Sequence, residues 1–446
     1  MNEKAPMKRR KFITNVARAT ATVSALSAYS AERVIGANDR VNVALIGCGG
    51  RGRLVSRLMR EAPNVEFIAV CDVYDPSASS AKQWAGPMAQ SFRDFRKVLE
   101  MKEVDAVVVA TPDHWHALPT VLACQAGKDV YVEKPLGHTI REGRAMVEAA
   151  RRYNRVVQTG MQHRSAPHYK EVEEIIQSGQ IGDVHFVHVC NYSTVYTSAG
   201  PVPADEEPPE GLDWDMYLGP APKVPYNRLR FRTYRRFFDY SGGFITDFGA
   251  HRLDSVHQVM HDDKPLSAMG VGGLYGSKSI VDTPNVLHVT YEYKNWTLSY
   301  EGIQLNGFGT GPRIPGGRVP YNASGALDRP HGEAFYGTKG TIFSDRVGYE
   351  LYPAGRGEAA KPKSVSGQDR TDLHTRNFID CVRSRQRPVA DVETGHKSTI
   401  VPHLGNISYK VGGRKIRWDS DKEQVLDDPQ AAALLERQAR KPWDLI

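Results

Sequence analysis

The hexapeptide Gly47-Cys48-Gly49-Gly50-Arg51-Gly52 restricts this chain more than any other segment. It follows the apolar run Val41–Ile46 and opens a helical pattern, so glycines at GxGxxG spacing occupy a strand-to-helix turn. The first glycine permits the tight turn, the second lets backbone amides approach a pyrophosphate, and the third lets helix pack on strand. The helix N-terminus adds positive potential. Asp72 closes the next strand-like run, Val65–Cys71, twenty residues beyond Gly52, where an acid holds the hydroxyls of an adenosine ribose. Gly47, Gly49, Gly50, Arg51, Gly52 and Asp72 are therefore candidate contacts for a nicotinamide dinucleotide. An acid at position 72 repels a 2′-phosphate, which favours NAD over NADP, with Arg51 and Arg53 as the residues that could qualify that preference.

From Val41 onward short apolar runs alternate with helical patterns, which is how a parallel sheet wrapped by helices reads. Strands are expected at 41–46, 65–71, 104–111, 129–133 and 156–159, and a helix at 139–153. The first folded unit, residues 37–162, is then a Rossmann dinucleotide-binding domain. After about residue 165 a helical stretch at 167–178 leads into alternating runs at 184–192 and 287–300, the pattern of an antiparallel sheet with one covered face. Helical patterns return at 373–383 and 397–410. The fold class is thus α/β plus α+β: a Rossmann domain, then an open-faced, mostly antiparallel sheet domain with helices over residues 163–446. The Gly/Pro-rich segments 200–225 and 307–320 are too long for simple turns, and loops of that length are usually functional or mobile.

The 446 residues carry a formal charge of +7. Residues 1–40 hold eight basic residues against three acidic ones, which leaves the remainder nearly neutral at +2. No nucleic-acid partner is expected from a charge confined in this way. Within residues 1–36, Lys8-Arg9-Arg10-Lys11-Phe12-Ile13 precedes a weakly apolar, Ala/Ser/Thr-rich stretch, the grammar of a twin-arginine export signal. A disordered basic arm is the alternative, since Arg18 interrupts the apolar stretch. The twin-arginine machinery is the partner this leader implies, and the periplasm or another exported compartment the location. Export of this type carries folded protein, which suits a domain that captures its cofactor first. No apolar run approaches the roughly 20 residues of a membrane span. The five cysteines show no CxxC pairing, so free thiols and no metal site are expected.

Two expected strand ends carry further candidates, because ligands of open parallel sheets bind at the carboxyl ends of the strands. One ends in Thr111-Pro112-Asp113-His114-Trp115-His116, the other in Glu133-Lys134-Pro135. Thr111, Pro112, His116 and Glu133 join the cofactor contacts, with His114 and His116 read as pocket wall because no further ligands cluster near them. Lys134, held extended by Pro135, ends a buried strand beside the expected nicotinamide. Further on, Asp247 and His251 share a helix face at i and i+4, as does Asp254 at i+7. A carboxylate there can fix the imidazole tautomer and raise its basicity; an N-capping aspartate beside a core histidine reads equally well from these residues alone. Gln162 and Arg164 lie where substrate hydroxyls could bind, and Trp214, Tyr217, Tyr234 or Phe237 could stack on a sugar face or pack in a core.

Taken together, Gly47-x-Gly49-x-x-Gly52, Thr111-Pro112 with His116, Glu133-Lys134-Pro135 and Asp247-x-x-x-His251 resemble the glucose-fructose oxidoreductase / inositol dehydrogenase / MocA family. The resemblance covers nearly the whole chain after the leader, including Phe335 to Gly340, which looks like the family's late sheet strand. It implies Lys134, Asp247 and His251 as catalytic residues and an open sheet used for homo-oligomerisation. Removing hydride from a sugar carbon requires the hydroxyl proton to leave as the carbonyl forms. His251 is then the base, Lys134 stabilises the developing negative oxygen, and Asp247 orients His251 and the substrate.

Three functions fit these residues. The first is an NAD(P)-dependent oxidoreductase acting on a secondary alcohol of a sugar, polyol or glycoside, with the cofactor tightly bound because an exported enzyme meets no soluble nicotinamide pool. The alternative is a redox-neutral, NAD-dependent glycosidase or lyase working through a transient 3-keto sugar; as a branch of the same family it has a different segment around its histidine. The third is a non-catalytic nicotinamide and sugar sensor, which has little use for a strand-end lysine together with an acid-histidine pair.

Overall fold

A computed structural model of the chain describes residues 40–193, 202–305, 331–355, 357 and 361–445. The expected leader at 1–36 and loop at 307–320 lie outside the described residues, as do residues 200 and 201 of the loop 200–225.

Six parallel strands make the first sheet: β1 (Val41–Ile46), β2 (Val65–Cys71), β3 (Gln90–Phe92), β4 (Ala106–Val109), β5 (Asp129–Val132) and β6 (Val157–Thr159), in the order β3-β2-β1-β4-β5-β6. Helical crossovers cover both faces, so β4 (Ala-Val-Val-Val) and β5 (Asp-Val-Tyr-Val) are buried along their whole length. The order reverses between β1 and β4, which opens a crevice at their carboxyl ends. β3 was not among the expected strands; it has three residues, none buried, and no apolar alternation to mark it.

The second sheet has ten strands: β7 (Val184–Tyr192), β8 (Ser267–Gly273), β9 (Val286–Glu292), β10 (Thr297–Ile303), β11 (His331–Gly337), β12 (Gly340–Asp345), β13 (Gly348–Pro353), β14 (Lys363–Ser366), β15 (Ile416–Asp419) and β16 (Gln424–Leu426). Their order is β14-β13-β12-β11-β7-β10-β9-β8-β15-β16, antiparallel except for the β7–β10 pair. The run expected at 287–300 is a hairpin, not one strand. It folds back where the Tyr293 amide donates to the Trp296 carbonyl at 2.9 Å and their rings stack at 3.8 Å.

Helices Pro167–Gln177, Ala250–Met260 and Val392–Lys410 cover one face of this sheet, burying Val187, Val189, Leu253, Leu298, Phe335 and Leu404 in one core. The other face stays open, with Met269 44% and Val271 58% exposed. Phe186, Tyr336, Phe343 and Tyr352 form a ladder of ring contacts across it. Helix Thr371–Ser384 leaves the sheet and returns to the first unit, where Phe378 and Ile379 join the core beneath helix Gly50–Arg60. Ion pairs Arg151–Asp391 and Arg144–Glu423 fasten helix Ile140–Arg152 to the start of helix Val392–Lys410 and to the β15–β16 turn.

Buried histidines give the assembly a pH dependence with a definite sign. Burial pushes His257, His374 and His403 down to about 4 and His114 to about 3, from an ordinary 6.5. The unfolded chain therefore binds these protons before the folded one does, so stability is complete above about pH 6.5 and falls as pH drops through the window between the two values. The urea midpoint is expected to fall by a third or more between pH 7 and pH 5; a midpoint flat down to pH 4 would show that these imidazoles are not held neutral.

Candidate active site

The glycine turn is shaped by contacts that a side chain would break. Gly47 adopts φ +91°, and a Cβ there would lie 2.6 Å from the Ala110 backbone. A Cβ on Gly52 would lie 2.2 Å from the Gly47 carbonyl oxygen, so the helix Gly50–Arg60 can seat on β1 only without one. Gly49 and Gly50 differ: a Cβ on either meets nothing within 4 Å. These two residues stand at the helix start and border open space. Asp72, one residue past β2, accepts the Cys48 amide at 2.7 Å and the Tyr74 amide at 2.9 Å, which ties the turn to the next strand. Burial pushes its carboxyl above the usual range, against the pull of these amides and Arg53.

Gly47, Gly49, Gly50, Arg51, Asp72, Thr111 and Pro112 line one cleft of about 300 Å³. Met216, Tyr217, Tyr234 and Arg235 close it from the second unit. Bare backbone at 49 and 50, a helix N-terminus and an acid after β2 form a donor set that fits the pyrophosphate and ribose of a dinucleotide. Arg51 lines the cleft but spends its hydrogen bonds inward, donating from Nε to Glu133 at 2.7 Å and from Nη2 to the Gln162 side chain at 3.2 Å. Glu133 and Gln162 thus anchor the glycine-turn helix to the ends of β5 and β6. His116 sits behind the cleft wall, its two ring nitrogens 2.7 Å from the Pro135 carbonyl and 3.0 Å from the Thr111 carbonyl, and it braces the β4 and β5 ends against each other.

Lys134 meets Asp247 across 113 residues of chain. Its ammonium donates to Asp247 Oδ1 at 2.5 Å and to the Asp247 carbonyl at 3.0 Å. Arg235 reaches the same carboxylate oxygen at 3.0 Å from the cleft side. The expected Asp247–His251 alignment does not form as an α-helical i, i+4 pair. Residues Ile245–Gly249 form a π-turn before the helix Ala250–Met260, and its wider spacing rotates Asp247 toward Lys134 and Arg235. The His251 ring instead lies against His163, with centroids 5.1 Å apart, and its buried Nδ1 has no hydrogen-bond partner among the described residues. Burial, then the charges of Lys134 and Arg346, hold this imidazole well below its ordinary pKa, so it rests neutral.

Two expected contacts, Arg164 and Trp214, and one expected wall residue, His114, lie elsewhere. Arg164 does not line this cleft; it pairs with the buried Asp254 at 2.8 Å and borders a separate cavity. Trp214 is a core residue, stacked on Tyr217 at 4.9 Å and donating to the Val224 carbonyl at 2.9 Å. His114 Nε2 donates to the Tyr217 carbonyl, 2.9 Å away in the helical segment Trp214–Leu218, and the residue borders a different cleft. Tyr234 and Tyr217 do line the cleft beside the glycine turn. Arg235, Arg346 and His163 were not among the expected site residues. Arg235 stands in a basic run, Arg228 to Arg236, that hinted at it; Arg346 sits in the β12–β13 turn with no local signal.

Two family models match this chain. One, described as an oxidoreductase family with an NAD-binding Rossmann fold, matches residues 41–161. The other, described as the C-terminal alpha/beta domain of an oxidoreductase family, matches residues 167–294 and 361–445. Inositol 2-dehydrogenase of Salmonella typhimurium is 31% identical over 155 residues, 34% of this chain and 46% of that protein. The chain thus spans about half the length of the curated relatives it matches. Among solved structures, a levoglucosan dehydrogenase in complex with NADH and L-sorbose superposes with a TM-score of 0.65 at 17% identity, covering 85% of this chain and 98% of that one. An aldose-aldose oxidoreductase from Caulobacter crescentus gives 0.63 at 14% identity, covering 85% and 99%. At such identities the likeness is one of fold.

Proposed function

This chain belongs to the glucose-fructose oxidoreductase / inositol dehydrogenase / MocA family of NAD-binding oxidoreductases, and from that premise we propose that it moves hydride between a secondary alcohol of a sugar, polyol or glycoside and a tightly held nicotinamide dinucleotide. The observation that carries this reading is the meeting of Lys134, Asp247 and Arg235, with Lys134 close enough to a neutral His251 to act on its charge and Arg235 joining the group to the cleft bounded by the glycine turn. A bound nicotinamide supplies the hydride acceptor. Two of the three Lys134 N–H groups are directed at Asp247, and the third is left for a substrate oxygen. Asp247 is then the residue that aims Lys134 rather than His251. As the alcohol becomes a carbonyl, Lys134 stabilises negative charge on its oxygen and His251 receives the hydroxyl proton.

Retention of the cofactor is supported by the carboxyl-terminal segment. Arg437 bridges Glu142 and the His114 carbonyl, Arg440 holds Asp215 and the Gly219 carbonyl, and Trp443 meets Trp115 edge-on at 5.0 Å. Trp115 in turn donates to the Tyr217 carbonyl at 2.9 Å, and both residues border the cleft. The Arg9-Arg10 leader supports export by the twin-arginine route, and the open sheet face, with Met269 and Val271 exposed, supports a homo-oligomer. Asp72 supports NAD over NADP.

The test is direct. The full-length protein is purified from cytoplasm and its near-ultraviolet absorbance followed while polyols, aldoses and glycosides are added. Build-up of reduced nicotinamide supports oxidation. Release of an aglycone without it supports the redox-neutral chemistry instead, and a protein that binds sugar with neither signal is a sensor.

A further inference from the structure

We infer that His163 is a positioning residue for His251: a neutral imidazole plate, locked in one tautomer, against which the proton-accepting ring is stacked. The inference rests on the reading of His251 as that acceptor. His163 belongs to the single turn Gln162–Ser165 after β6, and its ring is sandwiched. His251 lies on one face at 5.1 Å with the planes 29° apart, and Tyr169 on the other at 4.8 Å and 11°. Tyr169 is itself fixed, since its hydroxyl accepts from Arg252 at 3.2 Å and Arg252 is held by Glu333 and His331 in a fully buried network.

Counting protons leaves one tautomer for His163. Arg346 Nε donates to His163 Nε2 at 3.2 Å, and a guanidinium has no lone pair to offer, so Nε2 carries no proton. His163 Nδ1 lies 2.9 Å from Ser255 Oγ, whose own proton goes to the His251 carbonyl at 2.9 Å. Nδ1–H therefore donates to Ser255, and every proton in the chain Arg346–His163–Ser255–His251 is placed.

This arrangement has two consequences for the reacting ring. His163 cannot compete for the substrate proton, because protonating Nε2 would set it against Arg346. His251, once protonated, lies over a neutral aromatic face rather than beside a second imidazolium. The other charged groups acting on His251 are Lys134 from the end of β5, Arg346 from the β12–β13 turn and Arg51 from the glycine-turn helix; Arg252, His168 and His331 act on His163. All of the cations oppose a resting positive charge on the pair, which keeps His251 ready to accept.

Imidazole nitrogen NMR on the full-length protein labelled at histidine tests this without any substrate, with His163 and His251 signals assigned from the His163→Phe and His251→Asn spectra. The expected His163 signal is a neutral Nδ1–H ring that does not titrate across the range where a free imidazole does. Arg346→Met is expected to make it titrate and to shift the titration of His251. In turnover, His163→Ala is expected to lower kcat about tenfold or more with KM little changed and to move the acid limb of the pH profile, and His163→Phe, which keeps the plate, to recover most of that loss. A wild-type His163 that titrates freely, an Nε2–H tautomer, or equal behaviour of the Phe and Ala variants overturns the proposal. If no alcohol is ever oxidised, the proposed function fails, yet the spectra still decide whether His163 is the locked plate. Should His163→Ala not fold, the Arg346→Met titration carries the decision.

Discussion

Replacing Lys134 by alanine is expected to lower hydride transfer by about 10³- to 10⁴-fold while NADH affinity changes by less than about threefold. The size follows from the role proposed for the ammonium. It lies at the end of β5, about one-tenth exposed, held by two hydrogen bonds from Lys134 to Asp247, and its third N–H, unpaired among the described residues, is the one proposed to meet the oxygen on which charge develops. Electrostatic stabilisation of that kind, in a site shielded from water, is usually the largest single contribution to such a reaction. The fold should survive, because Asp247 keeps Arg235 as a partner and is not left as a lone buried charge. Lys134→Met, which preserves the stem, separates charge from packing and should be as inactive. Single-turnover rates and NADH fluorescence titration give the two quantities, and a variant retaining a tenth of wild-type turnover would remove Lys134 from the chemistry.

A second large effect contrasts two glycines three residues apart. Gly49→Val is expected to weaken NADH binding more than about 100-fold, roughly 3 kcal/mol, and to leave thermal stability nearly unchanged. A side chain at 49 meets no protein atom within 4 Å and the backbone there is at φ −64°, so only an occupant of the cleft would notice it. Gly52→Val should behave in the opposite way, destabilising the fold by about 2 kcal/mol or more, because its Cβ collides with the Gly47 carbonyl at 2.2 Å. Calorimetric melting and NADH titration of both variants check the pair. Unaltered NADH binding in Gly49→Val would mean that the pyrophosphate does not cross this turn.

Much of the first unit was legible because its signals are local. The glycine spacing, the apolar runs of β1, β2, β4 and β5, and the acid after β2 each depend on a few neighbouring residues, and the structure places them as parallel strands around one crevice. The antiparallel character of the second sheet was legible from its alternation, and β7 begins and ends where the alternation does. Short or interrupted elements were less so: β3 carries no pattern, and the β9–β10 hairpin hides its turn between two strongly apolar rings, Tyr293 and Trp296.

The candidate site divides along the same line. By itself the sequence determined which residues stand at strand ends and on the glycine turn, since φ preferences and hydrophobic period act over one to seven positions. Only the tertiary structure decided what each charged side chain meets. Helical spacing pointed Asp247 at His251, but a π-turn and a lysine 113 residues away claimed it; Arg164 was drawn to Asp254, and Arg346 arrived from a hairpin turn to fix His163. Such pairings depend on how separate elements are packed against one another in three dimensions, and no local pattern in the chain encodes which of many distant partners a buried charge will find.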